Sequence, residues 1–268
     1  SIFGSWRHNV TQLQQMNRRL VAGRVVEIDD FLDTAHATQY RDELAHGRRR
    51  GWFVRNGDTP WESSGIDHAA FAASANATER CQLFREAARR GAPFHFRYHV
   101  LRPPEGTGAP TAESTPAMYR MASVLGSRAF VDAFGLLLTG EAAPVQASFN
   151  MPAIRILAPG DYVTLHNDRA QRQASADSHR ALCLNYYITD PPVWERAWGG
   201  GLLWCGSDQH GEAEEEARLL DPAFNRANLF VPSSKSLHAV EVATDDGDAA
   251  TRMRLSFTSW MGWQMPAT

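Results

Sequence analysis

The chain has 268 residues, 43% of them hydrophobic and 21% charged, with a formal net charge of −3. This is ordinary globular composition, enough for one sizeable core, and it excludes a disordered chain. The near-neutral balance excludes a partner held by bulk charge, so neither nucleic acid nor an anionic membrane is expected. No apolar run approaches the ~18 residues of a membrane span. The opening Ser1-Ile2-Phe3-Gly4 lacks a basic-then-apolar signal, while the missing initiator Met leaves room for a removed targeting segment. Cys81, Cys183 and Cys205 are too few and too scattered for a disulfide framework or a zinc knuckle. Cys183 and Cys205, in apolar, strand-like contexts, are expected to be buried free thiols acting as small hydrophobes, which makes a reducing, cytoplasmic setting the default.

Up to about residue 145 the pattern is mainly helical. Trp6 to Leu20 has helical apolar spacing, and Arg24 to Ile28 reads as a short strand. Asp29-Asp30 offers an N-cap before Phe31 and Leu32. Ile66 to Arg90 is Ala-rich and periodic, a helix stopped by Gly91. Phe94 to Leu101 alternates as a strand does, with His95 and His99 on one face but too far apart for a shared metal. Pro103 to Pro116 is a Pro/Gly/Thr-rich loop, and Pro116 opens a helix running to Leu138 before Gly140. After Pro144 short strands take over, separated by Gly, Pro, Asn and Asp. They are Ala153–Leu157, Tyr162–His166, Ala181–Thr189, Gly201–Trp204, Ala227–Val231, His238–Val242 and Arg252–Trp260. The expectation is one domain spanning 1–268: helical support over 1–145 and a double-stranded β-helix, or jelly-roll, core over 146–264. The fold class is therefore α+β with a mainly β, cupin-like core.

Two segments bear on chemistry. In Tyr162–Asp168 strict alternation puts Tyr162, Thr164, His166 and Asp168 on one face, so the imidazole and the carboxylate can meet one cation. A third ligand from elsewhere would complete two His and one carboxylate, the non-haem iron arrangement that leaves positions open. Alone, His-x-Asp is weak, since short motifs arise readily and a solvated strand end reads the same way. The second segment is Arg252 to Trp260. Alternation puts Arg252, Arg254, Ser256, Thr258 and Trp260 on one face, and Met253, Leu255 and Phe257 on the other. An inward Arg with a nearby Ser suits a dicarboxylate tail, because a guanidinium pairs bidentately with a carboxylate. Periodicity does not choose between Arg252 and Arg254.

In order along the chain stand Ala158-Pro-Gly-Asp-Tyr162, His166-x-Asp168 and Arg180-Ala-Leu-Cys-Leu-Asn-Tyr-Tyr187. They are followed by Trp198-Gly-Gly-Gly-Leu202, Asn225-Arg-Ala-Asn-Leu-Phe230, His238-x-Val240 and Arg254-x-Ser256 with Trp260. This string resembles the prolyl 4-hydroxylase-like branch of the 2-oxoglutarate oxygenases, and Val25 to Leu32 and the helix ending Leu138-Thr-Gly140 share the likeness. The resemblance implies Fe(II) bound by His166, Asp168 and His238, with O2 and 2-oxoglutarate as cosubstrates and ascorbate as a supporting reductant. Arg254 is implied as the 2-oxoglutarate anchor because the family's arginine stands six residues before the Trp, with Tyr187 and Ser256 beside it. Arg180 and Trp260 are implied on the substrate side. Ala158 departs from the Tyr that several relatives carry before Pro-Gly. The presence of Asp168 resembles a hydroxylase, since related iron halogenases have Gly or Ala there.

The implied activity is hydroxylation of an unactivated C–H in an amino-acid, peptidyl or small-molecule substrate, with release of succinate and CO2. Two alternatives are desaturation or cyclisation of a natural-product intermediate on the same iron, and a cupin-like binding module without redox chemistry. Glu212, Glu214, Glu215 and Glu216 read as a solvated loop. That loop, over 208–216, and the one over 103–116 are the candidate lids. Trp194, Trp198 and Trp204 surround the Gly199–Gly201 turn as core packing or as a substrate-shaping wall.

Overall fold

The helices expected in the first half form, with more interruptions than periodicity suggests. The computed structural model describes residues 2–49, 53–101, 113, 116–139, 146–149, 153–168, 180–190, 193–207, 217–244 and 252–264. After a 3-10 turn at Ser5–His8, helix α1 (Val10–Val21) starts under an Asn9 cap whose side chain accepts from the Gln12 amide. The run expected over 66–90 splits into α3 (His68–Ala73) and α4 (Ala77–Arg89). Asn76 caps the second piece, as a short polar side chain favours. The run from Pro116 splits at Gly126-Ser127 into α5 (Pro116–Leu125) and α6 (Arg128–Thr139).

The N-cap read at Asp29-Asp30 is corrected: α2 (Thr34–Arg49) begins later. Asn225 is the reason. It donates to the Leu32 carbonyl and accepts from the Leu32 amide, while its own carbonyl takes the Phe31 amide. These bonds hold Phe31-Leu32 extended and fully buried, so the helix cannot start there.

Twelve strands follow in chain order: β1 (Val26–Ile28), β2 (Phe53–Asn56), β3 (Phe96–Leu101), β4 (Gln146–Phe149), β5 (Ala153–Leu157), β6 (Tyr162–His166), β7 (Arg180–Tyr187), β8 (Leu202–Gly206), β9 (Arg218–Leu220), β10 (Arg226–Phe230), β11 (Leu237–Val240) and β12 (Arg254–Gln264). All seven expected late strands are present. The ones not expected, β2, β4 and β9, each pair along one side only among the described residues. Pairing is antiparallel throughout, in the order β1-β10-β7-β12-β5-β3-β6-β11-β8-β9. β3 joins two layers, meeting β5 through His99 and Val100 and β6 through Phe96 and Arg97. The result is the expected double-stranded β-helix buttressed by helices.

Alternation along the strands sorts side chains to two sides. Ile154, Ile156, Leu184, Tyr186, Leu255 and Phe257 face outward and form one core with α1, α2, α5 and α6. Tyr162, Leu203, Cys205 and Ala239 of the other layer pack beneath α3 and α4. A third cluster, including Cys183, Trp204 and Phe230, lies on the inner side. Among the described residues no helix is long and apolar enough to cross a membrane.

The cysteine reading is corrected as well. Cys81 of α4 and Cys205 of β8 form a disulfide across a sequence separation of 124, and Cys183 is a buried thiol outside it. No spacing rule links residues so far apart, and the correction removes the basis for the reducing-compartment default. A cross-link closing so long a loop is typically worth about 2–4 kcal/mol. Reduction, or Cys81→Ser, should lower the melting temperature by roughly 5–15 °C. Thermal unfolding followed by circular dichroism, with and without reductant, checks this; coincident curves would mean the bond adds nothing.

Candidate active site

An irregularity in β6 sets the site. Val163 pairs with Val240 and His166 with His238, so β6 has one residue more than β11 between the same two pairs. A bulge of this kind reverses the parity of the residues beyond it. The sequence placed Tyr162 and Thr164 on the face of His166, and the structure corrects this. Tyr162 is buried against Trp61, ring centroids 5.0 Å apart, with its hydroxyl donating to the Thr59 carbonyl. Thr164 bonds the His95 carbonyl. Val163 instead shares the inner cleft with His166 and Asp168.

His166 and His238 face each other across the two strands, ring centroids 4.2 Å apart. The Nδ1 of His166 lies 2.9 Å from the Thr164 carbonyl, and the Nδ1 of His238 lies 2.7 Å from the Ser236 carbonyl. A carbonyl only accepts, so both Nδ1 atoms carry hydrogen, and in the neutral imidazole the Nε2 atom then keeps the lone pair. Those lone pairs converge on Asp168: His166 Nε2 is 3.8 Å from Oδ1, and His238 Nε2 is 4.0 Å from Oδ2. All three ligand atoms lie within 4.8 Å of one another. Trp204 and Phe230 flank the His238 ring, and Phe94 lies against His166, which limits ring rotation.

Burial, with the neighbouring His238, pushes the His166 imidazole down to about 4. Burial alone would raise the Asp168 carboxyl, but the two imidazoles outweigh it and hold the group below its ordinary value. An unprotonated imidazole nitrogen and an ionised carboxylate at neutral pH are the donor types a divalent first-row ion requires. The three residues fit an iron(II) site on their own geometry.

On β12 alternation holds as expected: Arg254, Ser256, Thr258 and Trp260 line a cleft, while Met253, Leu255 and Phe257 join the outer core. Arg254 is 3% exposed. It donates to the Gly200 carbonyl at 2.7 Å, contacts Ser256 Oγ at 3.4 Å and lies over the Tyr187 ring at 5.0 Å. Burial lowers its pKa, and burial likewise raises that of the Tyr187 phenol against the opposing pull of Arg254. Among the described residues no carboxylate pairs with it, so a buried cation faces the cleft with room for an anion. Arg252 stands outside the cleft, 4.5 Å over the Trp198 ring.

Of the other expected residues, Trp260 lines the cleft beside Asp168, and the backbone of Arg180 pairs with Gly262 at the start of β7. The Arg180 side chain lies outside the described residues, as do most of 103–116 and all of 208–216, the two expected lids. His95 and His99 do not converge: His95 meets Thr59, and His99 meets the buried Asp161. Trp194 and Trp198 pack edge to face around the Gly199-Gly200 turn, and Trp204 backs the His238 ring. Sequence reasoning missed Arg155 and Tyr98, both in the cleft wall. A lone Arg between two Ile residues of a strand was the available signal for the first.

Residues 152–262 match the family model described as the 2OG-Fe(II) oxygenase superfamily. That segment runs from β5 into β12 and contains every described lining residue of the cleft except Phe94, Phe96 and Tyr98, so the β-helix core is a 2-oxoglutarate- and Fe(II)-dependent dioxygenase domain. Fe(II), 2-oxoglutarate and O2 are accordingly its cofactor and cosubstrates. A comparison with curated proteins found no sequence match. Among solved structures, a prolyl hydroxylase from Trichoplax adhaerens, in complex with a hypoxia-inducible-factor peptide fragment, is similar in fold. It has 18% identity and a TM-score of 0.53 over 97% of this chain and 93% of that one. The non-haem α-ketoglutarate-dependent epimerase SnoN of nogalamycin biosynthesis aligns at 15% identity and TM-score 0.56, covering 95% and 83%. A prolyl 4-hydroxylase from Phytophthora capsici aligns at 14% and 0.51, covering 96% and 64%.

The glycine turn beneath Arg254 is itself testable. Gly199 has φ +64° and ψ −154°, a region open essentially to Gly alone, and an added Cβ would lie 2.0 Å from the Val242 carbonyl oxygen. Gly199→Ala should cost at least about 1–3 kcal/mol from backbone strain. Urea denaturation measures this, and an unchanged midpoint would show that the turn relaxes freely.

Proposed function

We propose that the chain hydroxylates an unactivated C–H bond of an amino-acid, peptidyl or small-molecule substrate. In this reading His166, Asp168 and His238 hold Fe(II), and Arg254, Tyr187 and Ser256 hold the distal carboxylate of 2-oxoglutarate. The observation that carries it is the pair of carbonyl-bound Nδ1 atoms, which leaves two Nε2 lone pairs aimed at one carboxylate. The iron, with O2 and 2-oxoglutarate, supplies the oxidant for C–H cleavage, and the cosubstrate leaves as succinate and CO2.

The protein's part is placement. His166, Asp168 and His238 would supply three donors to the ion, which would leave further positions for cosubstrate and O2. Asp168 fills the position that a halide would need, which favours hydroxylation. The apolar side chains of Leu157, Val163, Leu202 and Val240 keep the cleft poor in water, so the Arg254 charge acts in a low dielectric. Trp260 forms part of the substrate wall, and Arg180 belongs to the substrate side by its likeness to the prolyl 4-hydroxylase-like branch. Residues 1–268 act as one oxygenase domain, since helices before 145 and strands of 146–264 share one hydrophobic cluster.

His238→Ala should abolish stoichiometric Fe(II) binding, because His238 supplies one of two nitrogen donors. Anaerobic metal titration with elemental analysis tests it, and full occupancy in the variant would sink the triad.

Arg254→Gln should raise the 2-oxoglutarate requirement by roughly two to three orders of magnitude, since breaking a buried ion pair costs about 3–5 kcal/mol. Arg252→Gln should change it little, and neither should alter iron affinity. Steady-state titration of 2-oxoglutarate separates the two, and swapped effects would make Arg252 the anchor.

A further inference from the structure

The cleft holds a second cation with no role in the proposed iron and cosubstrate sites. Arg155 lies on β5 directly opposite Ser256 of β12, and Leu157 lies opposite Arg254. The two arginines are therefore diagonal neighbours on one inner wall, with Cα atoms about 7–8 Å apart. Tyr98 stands 4.7 Å from the Arg155 guanidinium and Trp260 stands 5.6 Å from it. Aromatic rings occupied in this way hold a guanidinium by its faces and leave its donors pointing outward in its own plane. Its Nε is buried with no acceptor, and among the described residues no carboxylate pairs with it. Its charge reaches both neighbours, depressing His166 and Arg254.

We propose that Arg155 anchors a carboxylate of the primary substrate, so that the enzyme oxidises an organic acid and not a neutral scaffold. This rests on the assignment of Arg254 to 2-oxoglutarate. Charge balance supports it. With Fe(II), Asp168, both arginines and doubly charged 2-oxoglutarate in place, these groups leave one positive charge, and among the described residues no other lining side chain is acidic. A monoanion neutralises it. The wall of Phe96, Tyr98 and Trp260 gives such an acid an apolar body to lie against.

The test uses the full chain, anaerobic and loaded with Fe(II) and the unreactive cosubstrate analogue N-oxalylglycine, so that the Arg254 site is filled. Benzoate and its neutral match benzamide are then titrated by calorimetry. Benzoate should bind in the millimolar range or tighter, and benzamide roughly tenfold or more weakly, the scale of one charge-assisted contact. Arg155→Met should reduce benzoate to the level of benzamide while N-oxalylglycine affinity stays within about twofold. Arg155→Lys should recover only part, because the planar fork and its stacking are lost. Equal binding of the two probes to the unaltered protein, no benzoate binding in the millimolar range, or indifference to Arg155→Met overturns the proposal. If Arg155→Met weakens N-oxalylglycine as Arg254→Gln does, Arg155 belongs to the cosubstrate site and the proposal fails while the oxygenase reading stands. Failure of the unaltered protein to bind N-oxalylglycine overturns that reading and takes this one with it.

Discussion

Arg254 carries a full charge into the inside of a β-helix where no carboxylate of the described chain meets it. A buried guanidinium is tolerated only where hydrogen bonds or an incoming anion satisfy it, and the surrounding structure supplies the first through the Gly200 carbonyl. Strand β12, the longest, pairs with β4, β5 and β7, and its alternation sends Arg254 inward while Leu255 and Phe257 pack against the helices. The Gly199-Gly200 turn is pressed against that side chain, with a carbonyl on its Nε and no room for a Cβ at Gly199. Tyr187 closes the remaining face. The proposed anion site and the fold thus depend on each other, because removing the helical layer would leave the outer face of β12 uncovered and the inner face unsupported.

At the other end of the cleft the proposed metal ligands are fixed in a similar way. A free histidine exchanges tautomers, but a backbone carbonyl on each Nδ1 leaves one form. The accepting carbonyls sit two residues before each ligand, Thr164 before His166 and Ser236 before His238. The local chain path at each strand end therefore orients its own histidine. Aromatic rings then restrain the imidazoles from the side, and the bulge in β6 turns His166 inward. A site so formed has little reorganisation left to undergo when a cation enters.

Much of this was legible in the sequence. The change from helical to strand periodicity near Pro144 located the β core, because buried faces impose periods of 3.6 and 2 on apolar residues. The His-x-Asp and Arg-x-Ser pairs stood out because few other residue types can hold a divalent cation and a dicarboxylate. Where periodicity was trusted through an irregularity, it misled. One extra residue in β6 moved Tyr162 and Thr164 to the opposite side, and nothing in the composition of that strand marks the bulge.

Local patterns of side-chain type were thus enough to define the set of elements and the chemical character of the site. The inward placement of Arg254, and not of Arg252, came from tertiary structure: a strand face has two sides, but only closure of the sheet says where the strand begins and what each side meets. The same holds for the start of α2, set by Asn225 far along the chain, and for the Cys81–Cys205 bond. It holds for Arg155 as well, whose meaning depends on Tyr98 and Trp260 arriving from two other strands. Contacts between residues distant in sequence leave no periodic trace, because their geometry is decided by how the layers close and not by any one segment.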